Sequence, residues 1–283
     1  MNLILIGKGS ILYNIAQQII KDKTLNLKII FWDKNSNNKS DIYYLKNLKK
    51  LHKVTQISNI NMKKNVNLLK YLNFDYLLSI NNTQIFKNEI LKLFKNKLIN
   101  YHYSLIPSYK GLYSCTKVIL KQERYTGISW HVVTNKIDQG RVIFQKKQKI
   151  HRNDNAANLI VKLNSLCVKT FFNFINNIKK AKFSKNKNLK IRDFKLKIKD
   201  EKYSKISLLM KADKMLSVFN AFSYFPFVSP LPPVKIKLNK IFKIKNIDLM
   251  KNKKSLKKKY TKISKDRFII RSADNKFLLL ECL

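Results

Sequence analysis

The chain has 283 residues, 45% of them hydrophobic, and carries a net charge of +43 from 59 Lys and Arg against 16 Asp and Glu. That length and apolar content suffice for one large or two modest domains, each with its own core, so the chain is expected to fold. No run approaches the roughly 18 apolar residues of a membrane span, and the N-terminal MNLILIG is too short for a signal peptide and lacks a cleavage pattern, so a cytoplasmic protein with no membrane partner is expected.

In chain order, the apolar run at 3–7 leads into Gly7 and Gly9, and ILYNIAQQIIKD then places apolar residues at helical spacing: a strand, a tight turn and a helix. LKIIFWD at 27–33 reads as the next strand, ending in Asp33. SDIYYLKNLKKL and NMKKNVNLLKYL read as helices, FDYLLSI at 74–80 as a strand, and NEILKLF as a short helix before a strand containing Asn100. Such alternation implies right-handed crossovers and a mostly parallel sheet. Gly7 and Gly9 suggest a dinucleotide fingerprint, but its third glycine is absent; a tight strand-to-helix turn is the preferred reading, with Asp33 as a strand-end residue.

The stretch LINYHYSLIPSYKG from Leu98 ends a buried strand in polar side chains. On a strand, residues i and i+2 share a face, so Asn100 and His102 are neighbours, and open parallel sheets place ligands at the carboxyl ends of their strands. Pro107 and Gly111 turn the chain into a loop, and Ser104 is expected to secure that loop through a backbone hydrogen bond. TGISWHVV from Thr126 is another strand, in which His131 reads as a hydrogen-bonded core residue, and TNKIDQG is a polar turn that offers Asp138 and Gly140. A long amphipathic helix follows, with Asp154 as its expected N-cap. Domains are expected at 1–181 and 203–283, joined by a basic linker at 182–202; the aromatic cluster FNAFSYFPF at 219–227 is expected to pack the second domain.

The charge is almost all lysine, with six arginines, beside abundant Asn, Ile, Phe and Tyr. A surface selected to grip phosphate would use more bidentate Arg, so compositional drift is the preferred explanation, although such charge attracts any polyanion. Cys115, Cys167 and Cys282 are odd in number and form no CxxC pair, and no metal site is expected.

NYHYSLIPSYKG followed by TGISWHVVTNKIDQG resembles the signature of the formyltransferases that use 10-formyltetrahydrofolate. The resemblance implies a Rossmann-like, mostly parallel α/β domain followed by a small C-terminal β-barrel-like (OB-like) domain, and it extends over nearly the whole chain. It also implies that the enzyme moves a formyl group from 10-formyltetrahydrofolate to an amine, with Asn100, His102 and Asp138 as the catalytic set. The folate donor is then expected in a cleft formed by Ser79, Ile80, Asn81 and Asn82 on one side, by Leu105, Ile106 and Pro107 in the loop, and by Lys136, Ile137 and Gly140 in the turn. Phe86 and Lys87 stand where a Leu-Pro pair is common in the family.

For the acceptor, the stretches INYHYSLIPSYKGLYS and GISWHVV look closest to formylation domains of non-ribosomal peptide synthetases, which implies an aminoacyl group on a carrier protein, or a small amine. Methionyl-tRNA is the alternative, since the charge suits a polyanion. Against it, FWDKNSNNKS runs directly into a helix, without the basic insertion that the tRNA enzymes typically carry there. A catalytically silent basic RNA-binding protein on the same fold is the second alternative.

Overall fold

Short apolar runs alternate with amphipathic helices from the N-terminus, and the chain builds a layered α/β sheet from them in the computed structural model, which describes residues 1–34, 39–180, 201–227, 229–250 and 259–283. The first elements are β1 (Asn2–Gly7), α1 (Gly9–Lys21), β2 (Asn26–Asp33), α2 (Lys39–Leu51), β3 (Val54–Ile57), α3 (Lys63–Tyr71), β4 (Tyr76–Ile80), α4 (Asn88–Leu93) and β5 (Leu98–His102). They are followed by α5 (Ser114–Leu120), β6 (Tyr125–Val132), β7 (Val142–Lys149) and α6 (Ala156–Lys179). The seven strands lie in the order β3-β2-β1-β4-β5-β6-β7. Strands β1 to β5 are parallel and β6 runs antiparallel to β5.

That order reverses between β1 and β4, the switch point at which an open sheet offers a crevice beyond its strand ends. Both faces of the sheet are covered. Ile4, Ile6, Phe31, Leu77 and Leu98 pack with Val66 and Leu69 of α3 and with Phe86 and Ile90 at α4. Elsewhere in the core, Trp130 of β6 stacks on Phe174 of α6 with ring centroids 4.2 Å apart, an aromatic contact worth about 0.5–1.5 kcal/mol beyond its buried area. Three elements carry no clear sequence signal: β3 is only four residues, β7 is masked by its lysines, and α5 is buried on every side and so lacks an amphipathic period.

Gly7 does not hold a nucleotide turn open; it lets β1 approach β4. A Cβ there would lie 1.7 Å from the Ile80 carbonyl oxygen, and its φ of 145° lies where L side chains rarely go. The long helix is capped one residue later than expected. Asn155 Oδ1 accepts the Asn158 N–H at 2.8 Å, whereas the Asp154 carboxylate takes the His151 N–H and the Lys162 ammonium instead.

The C-terminal part contains β8 (Lys205–Ile206), α7 (Ala212–Phe222), β9 (Lys235–Lys237), β10 (Ile241–Leu249), β11 (Tyr260–Lys262), β12 (Arg267–Arg271) and β13 (Phe277–Cys282). These strands form a second sheet, β11-β12-β13-β10-β9-β8, antiparallel except between β8 and β9. Alternation gives it one apolar face, with Leu278, Leu280 and Cys282 of β13 all buried. One compact unit takes residues 1–111, 127–148 and the described part of 163–192; the other takes 112–126, 149–162 and the described part of 193–283. Within the second unit α5 packs on α7, and Thr116 Oγ1 and Tyr224 Oη lie 2.8 Å apart. The aromatic cluster divides: Phe222 and Tyr224 are buried, while Phe225 and Phe227 are exposed. Most of the expected linker lies outside the described residues. Among the described residues no helix is long and apolar enough to cross a membrane.

The close approach at Gly7 gives a direct test. Gly7→Ala should lower unfolding free energy by about 3 kcal/mol or more, from overpacking and the left-handed backbone together, as read by urea denaturation. A midpoint within error of the wild type would show that the two strand ends are not held as described.

Candidate active site

Sheet register builds the polar centre. Asn100 sits between Ser79 of β4 and His131 of β6 as cross-strand neighbours, and His102 sits opposite Ser129. Side chains in one such row project to the same face and meet. Ser79 Oγ donates to Asn100 Oδ1 at 2.8 Å, and Asn100 Nδ2 lies 3.3 Å from His131 Nε2. His131 Nδ1 donates to the Val132 carbonyl at 3.0 Å, which leaves Nε2 facing the site.

Asp138 closes the arrangement from the turn after β6. Its Oδ2 accepts the Gly111 N–H at 2.8 Å and lies 3.4 Å from His102 Nδ1, while its Oδ1 lies 3.3 Å from His131 Nε2. His102 Nε2 donates to the Tyr109 carbonyl at 3.1 Å. Both ring nitrogens of His102 therefore face acceptors: a neutral ring serves one of them, and a ring that has taken up a proton serves both. Burial opposes ionisation of Asp138, but the hydrogen bond from His131, the charge of His102 and the Gly111 N–H outweigh it and hold the carboxyl well below the usual carboxylate range.

The turn is shaped for this task. Asp138 adopts a φ of 50°, a left-handed conformation that Asp tolerates better than most residues. Gly140, two residues on, must be glycine because a Cβ would lie 1.7 Å from the Val132 carbonyl oxygen. The loop before it is tied down as well: Ser104 Oγ donates to the Ser108 carbonyl at 2.7 Å, the expected loop bond. The Ile106 N–H donates to Ser129 Oγ, and the Ile106 carbonyl accepts from Gln145 Nε2 at 2.8 Å.

The three residues of the expected catalytic set thus come together, joined by His131, which sequence reasoning set aside as core. His131 is indeed buried and hydrogen-bonded, to the Val132 carbonyl through Nδ1, but its Nε2 lies within 3.3 Å of both Asn100 and Asp138. Finding it from sequence would have required the β5–β6 register, which places it opposite Asn100.

The residues expected around the donor fall at the end of β4, in the loop after β5 and in the turn after β6. Ser79 and Ile80 are buried, and the Ser79 hydroxyl is committed to Asn100. Asn81 reaches back to the Lys8 carbonyl, and Asn82 braces Gln84 through both its backbone N–H and its carbonyl. Ile106 is buried, Leu105 and Pro107 are half-buried, and Lys136 and Ile137 are exposed in the turn. A pocket of about 510 Å³ opens farther along, lined by Asn61, the 85–91 segment and Asn135. Asn61 and residues 85–91 carry no motif that marks them in advance, apart from the Phe86–Lys87 substitution.

Comparison with known proteins decides the family. The formyl transferase family profile matches residues 1–175, more than half of the chain. The chain belongs to this family. Its methionyl-tRNA formyltransferase relative from Caldicellulosiruptor saccharolyticus is 25% identical over 89% of this chain and 84% of the relative. The enzyme of the same description from Mycoplasmopsis pulmonis is 30% identical over 53% of this chain, and the bifunctional polymyxin resistance protein ArnA of Wigglesworthia glossinidia brevipalpis is 35% identical over 51%. The alignments span only 48% and 18% of those last two proteins. The sugar 3N-formyl transferase WlaRD shares the fold, with a TM-score of 0.68 and 23% identity over 100% of this chain and 98% of its own. The formyltransferase from Helicobacter canadensis has a TM-score of 0.67 and 22% identity over 99% of each chain.

The depressed Asp138 pKa fixes a sign in this formyltransferase. Stability from the ionised carboxylate is fully present above the unfolded value of about 3.9 and is lost as pH falls toward the lower folded value. The difference in melting temperature between wild type and Asp138→Asn should therefore shrink between about pH 5 and pH 2. A difference constant across that range would place the carboxylate outside the interactions described.

Proposed function

We propose that the protein transfers the formyl group of 10-formyltetrahydrofolate to the amine of methionyl-tRNA, with Asn100, His102 and Asp138 as its catalytic residues. The observation that carries the chemistry is the meeting of the three at one strand end, with His102 Nδ1 3.4 Å from the Asp138 carboxylate. Moving a formyl group between nitrogens places negative charge on the formyl oxygen and requires the attacking amine to give up a proton. His102 takes that proton and returns one to the departing nitrogen; imidazole suits this work because it titrates near neutrality. Asp138 orients the ring and stabilises its charged form. Asn100, its Oδ1 held by the Ser79 hydroxyl, donates from Nδ2 to the developing oxyanion, a role typically worth about 2.7–4 kcal/mol.

The donor is assigned to the 85–91 pocket, whose volume lies in the range of small-molecule sites. Lys87 in its lining and the exposed Lys136 offer charge to the acidic tail of a folate.

Sequence motifs alone favour an aminoacyl-carrier acceptor. Alignment with a methionyl-tRNA formyltransferase over nearly nine-tenths of the chain, together with the charge of +43, moves the reading to tRNA. The near-complete overlay on sugar N-formyltransferases supports a second reading, an amino sugar on a nucleotide carrier.

A panel assay with 10-formyltetrahydrofolate at physiological salt separates these acceptors, because low salt would let the lysines bind any RNA. Initiator methionyl-tRNA should show the highest kcat/KM, above aminoacyl-carrier protein, a dTDP-linked amino sugar and free amines. A higher value for one of the other acceptors would replace the acceptor and keep the chemistry. No transfer to any of them would dismiss the enzyme reading in favour of a silent binding protein.

A further inference from the structure

The segment between β4 and α4, which forms one wall of the 510 Å³ pocket, is held by two side chains that the catalytic set does not include, Asp33 and the pocket-lining Asn61. Asp33, at the end of β2, has no exposed surface. Its Oδ2 accepts from Thr83 Oγ1 at 2.6 Å and its Oδ1 accepts from Gln84 Nε2 at 3.0 Å. Gln84 is itself oriented, because its Oε1 accepts the Ile60 N–H at 2.6 Å. Asn61, in the β3–α3 connection, bonds the same wall two residues farther on. Its Nδ2 donates to the Ile85 carbonyl and its Oδ1 accepts the Lys87 N–H, both at 2.8 Å.

The Asn61 amide therefore acts as a neighbouring strand would, pairing with one carbonyl and one N–H of an extended segment. The Lys87 N–H that it needs could not come from a proline. Phe86, between the two bonded residues, is driven into the core, and Ile85 is left 69% exposed. The wall's shape thus depends on polar side chains that sit beneath and beside it.

We propose that Asp33 and Asn61 are positioning residues for the folate donor: they set how tightly the pocket wall receives it and take no part in the transfer. This rests on the assignment of the donor to that pocket. The chemistry of Asp33 supplies a selective test. Asp33→Asn leaves one acceptor oxygen where there were two, so the amide can accept from only one of Thr83 Oγ1 and Gln84 Nε2, and Gln84 cannot turn its own amide over without losing the Ile60 N–H. Adding Gln84→Glu gives an acceptor to the new amide N–H and to the Ile60 N–H, so the double variant should recover.

The experiment compares wild type, Asn61→Ala, Asp33→Asn and Asp33→Asn/Gln84→Glu. The dissociation constant for 5-formyltetrahydrofolate, an unreactive donor probe, is measured by calorimetry, and kcat and KM for donor and acceptor are measured by turnover. Both single variants should weaken the probe and raise donor KM by about tenfold, in line with the loss of one or two hydrogen bonds, with kcat and acceptor KM within about twofold. The double variant should return toward wild type. Asn61 lies on a partly exposed connection, so Asn61→Ala decides the matter if Asp33→Asn fails to fold. Unchanged donor affinity in a folded Asn61→Ala, or a fall in kcat without a change in affinity, would overturn the proposal. Failure of the wild type itself to bind the probe would refute the donor pocket, and the positioning roles with it.

Discussion

One carboxylate organises the polar end of the sheet. Asp138 is drawn between His102 on β5, His131 on β6 and the Gly111 N–H of the intervening loop, so a single anion ties three segments together. A buried carboxylate without such partners would be costly, and burial does push its pKa upward; the donors around it reverse the sign. The left-handed backbone at Asp138 and the forced glycine at position 140 show the same demand acting on the turn that carries it. The proposed catalytic role and local stability therefore depend on the same charge.

The sheet supplies the precision that the charge requires. Ser79, Asn100 and His131 form one row across three strands, in which the Ser79 hydroxyl fixes the Asn100 amide and Asn100 Nδ2 lies 3.3 Å from His131 Nε2. Ser79 thereby sets which end of the Asn100 amide is available, since its hydroxyl donates to Oδ1 and turns Nδ2 toward the histidine. The acyl-transfer chemistry proposed here needs such preset donors more than it needs strong ones.

How much of this could be read in advance follows from the range of each signal. Strand alternation is local, so Asn100 and His102 on one face, and a loop forced by Pro107 and Gly111, are legible from a dozen residues. The parallel α/β order is legible from the repeated change of hydrophobic period. Register between β5 and β6 is not local, and this is why His131 looked like core. Asn61 and Asp33 escaped for the same reason: their partners lie 24 to 51 residues away and involve mostly backbone or neutral side chains with no motif. Helix α5 was hidden by being wholly buried, and the exposed Phe225 and Phe227 show that an aromatic cluster marks a core only where backbone direction allows.

The central claim is that His102, held by Asp138, moves the proton during transfer. Single-turnover formylation under saturating donor and acceptor isolates that step from binding. His102→Ala and Asp138→Asn should each slow it by about 10²–10⁴-fold while both proteins remain folded by circular dichroism. A folded His102→Ala variant that transfers formyl at close to the wild-type rate would contradict the account.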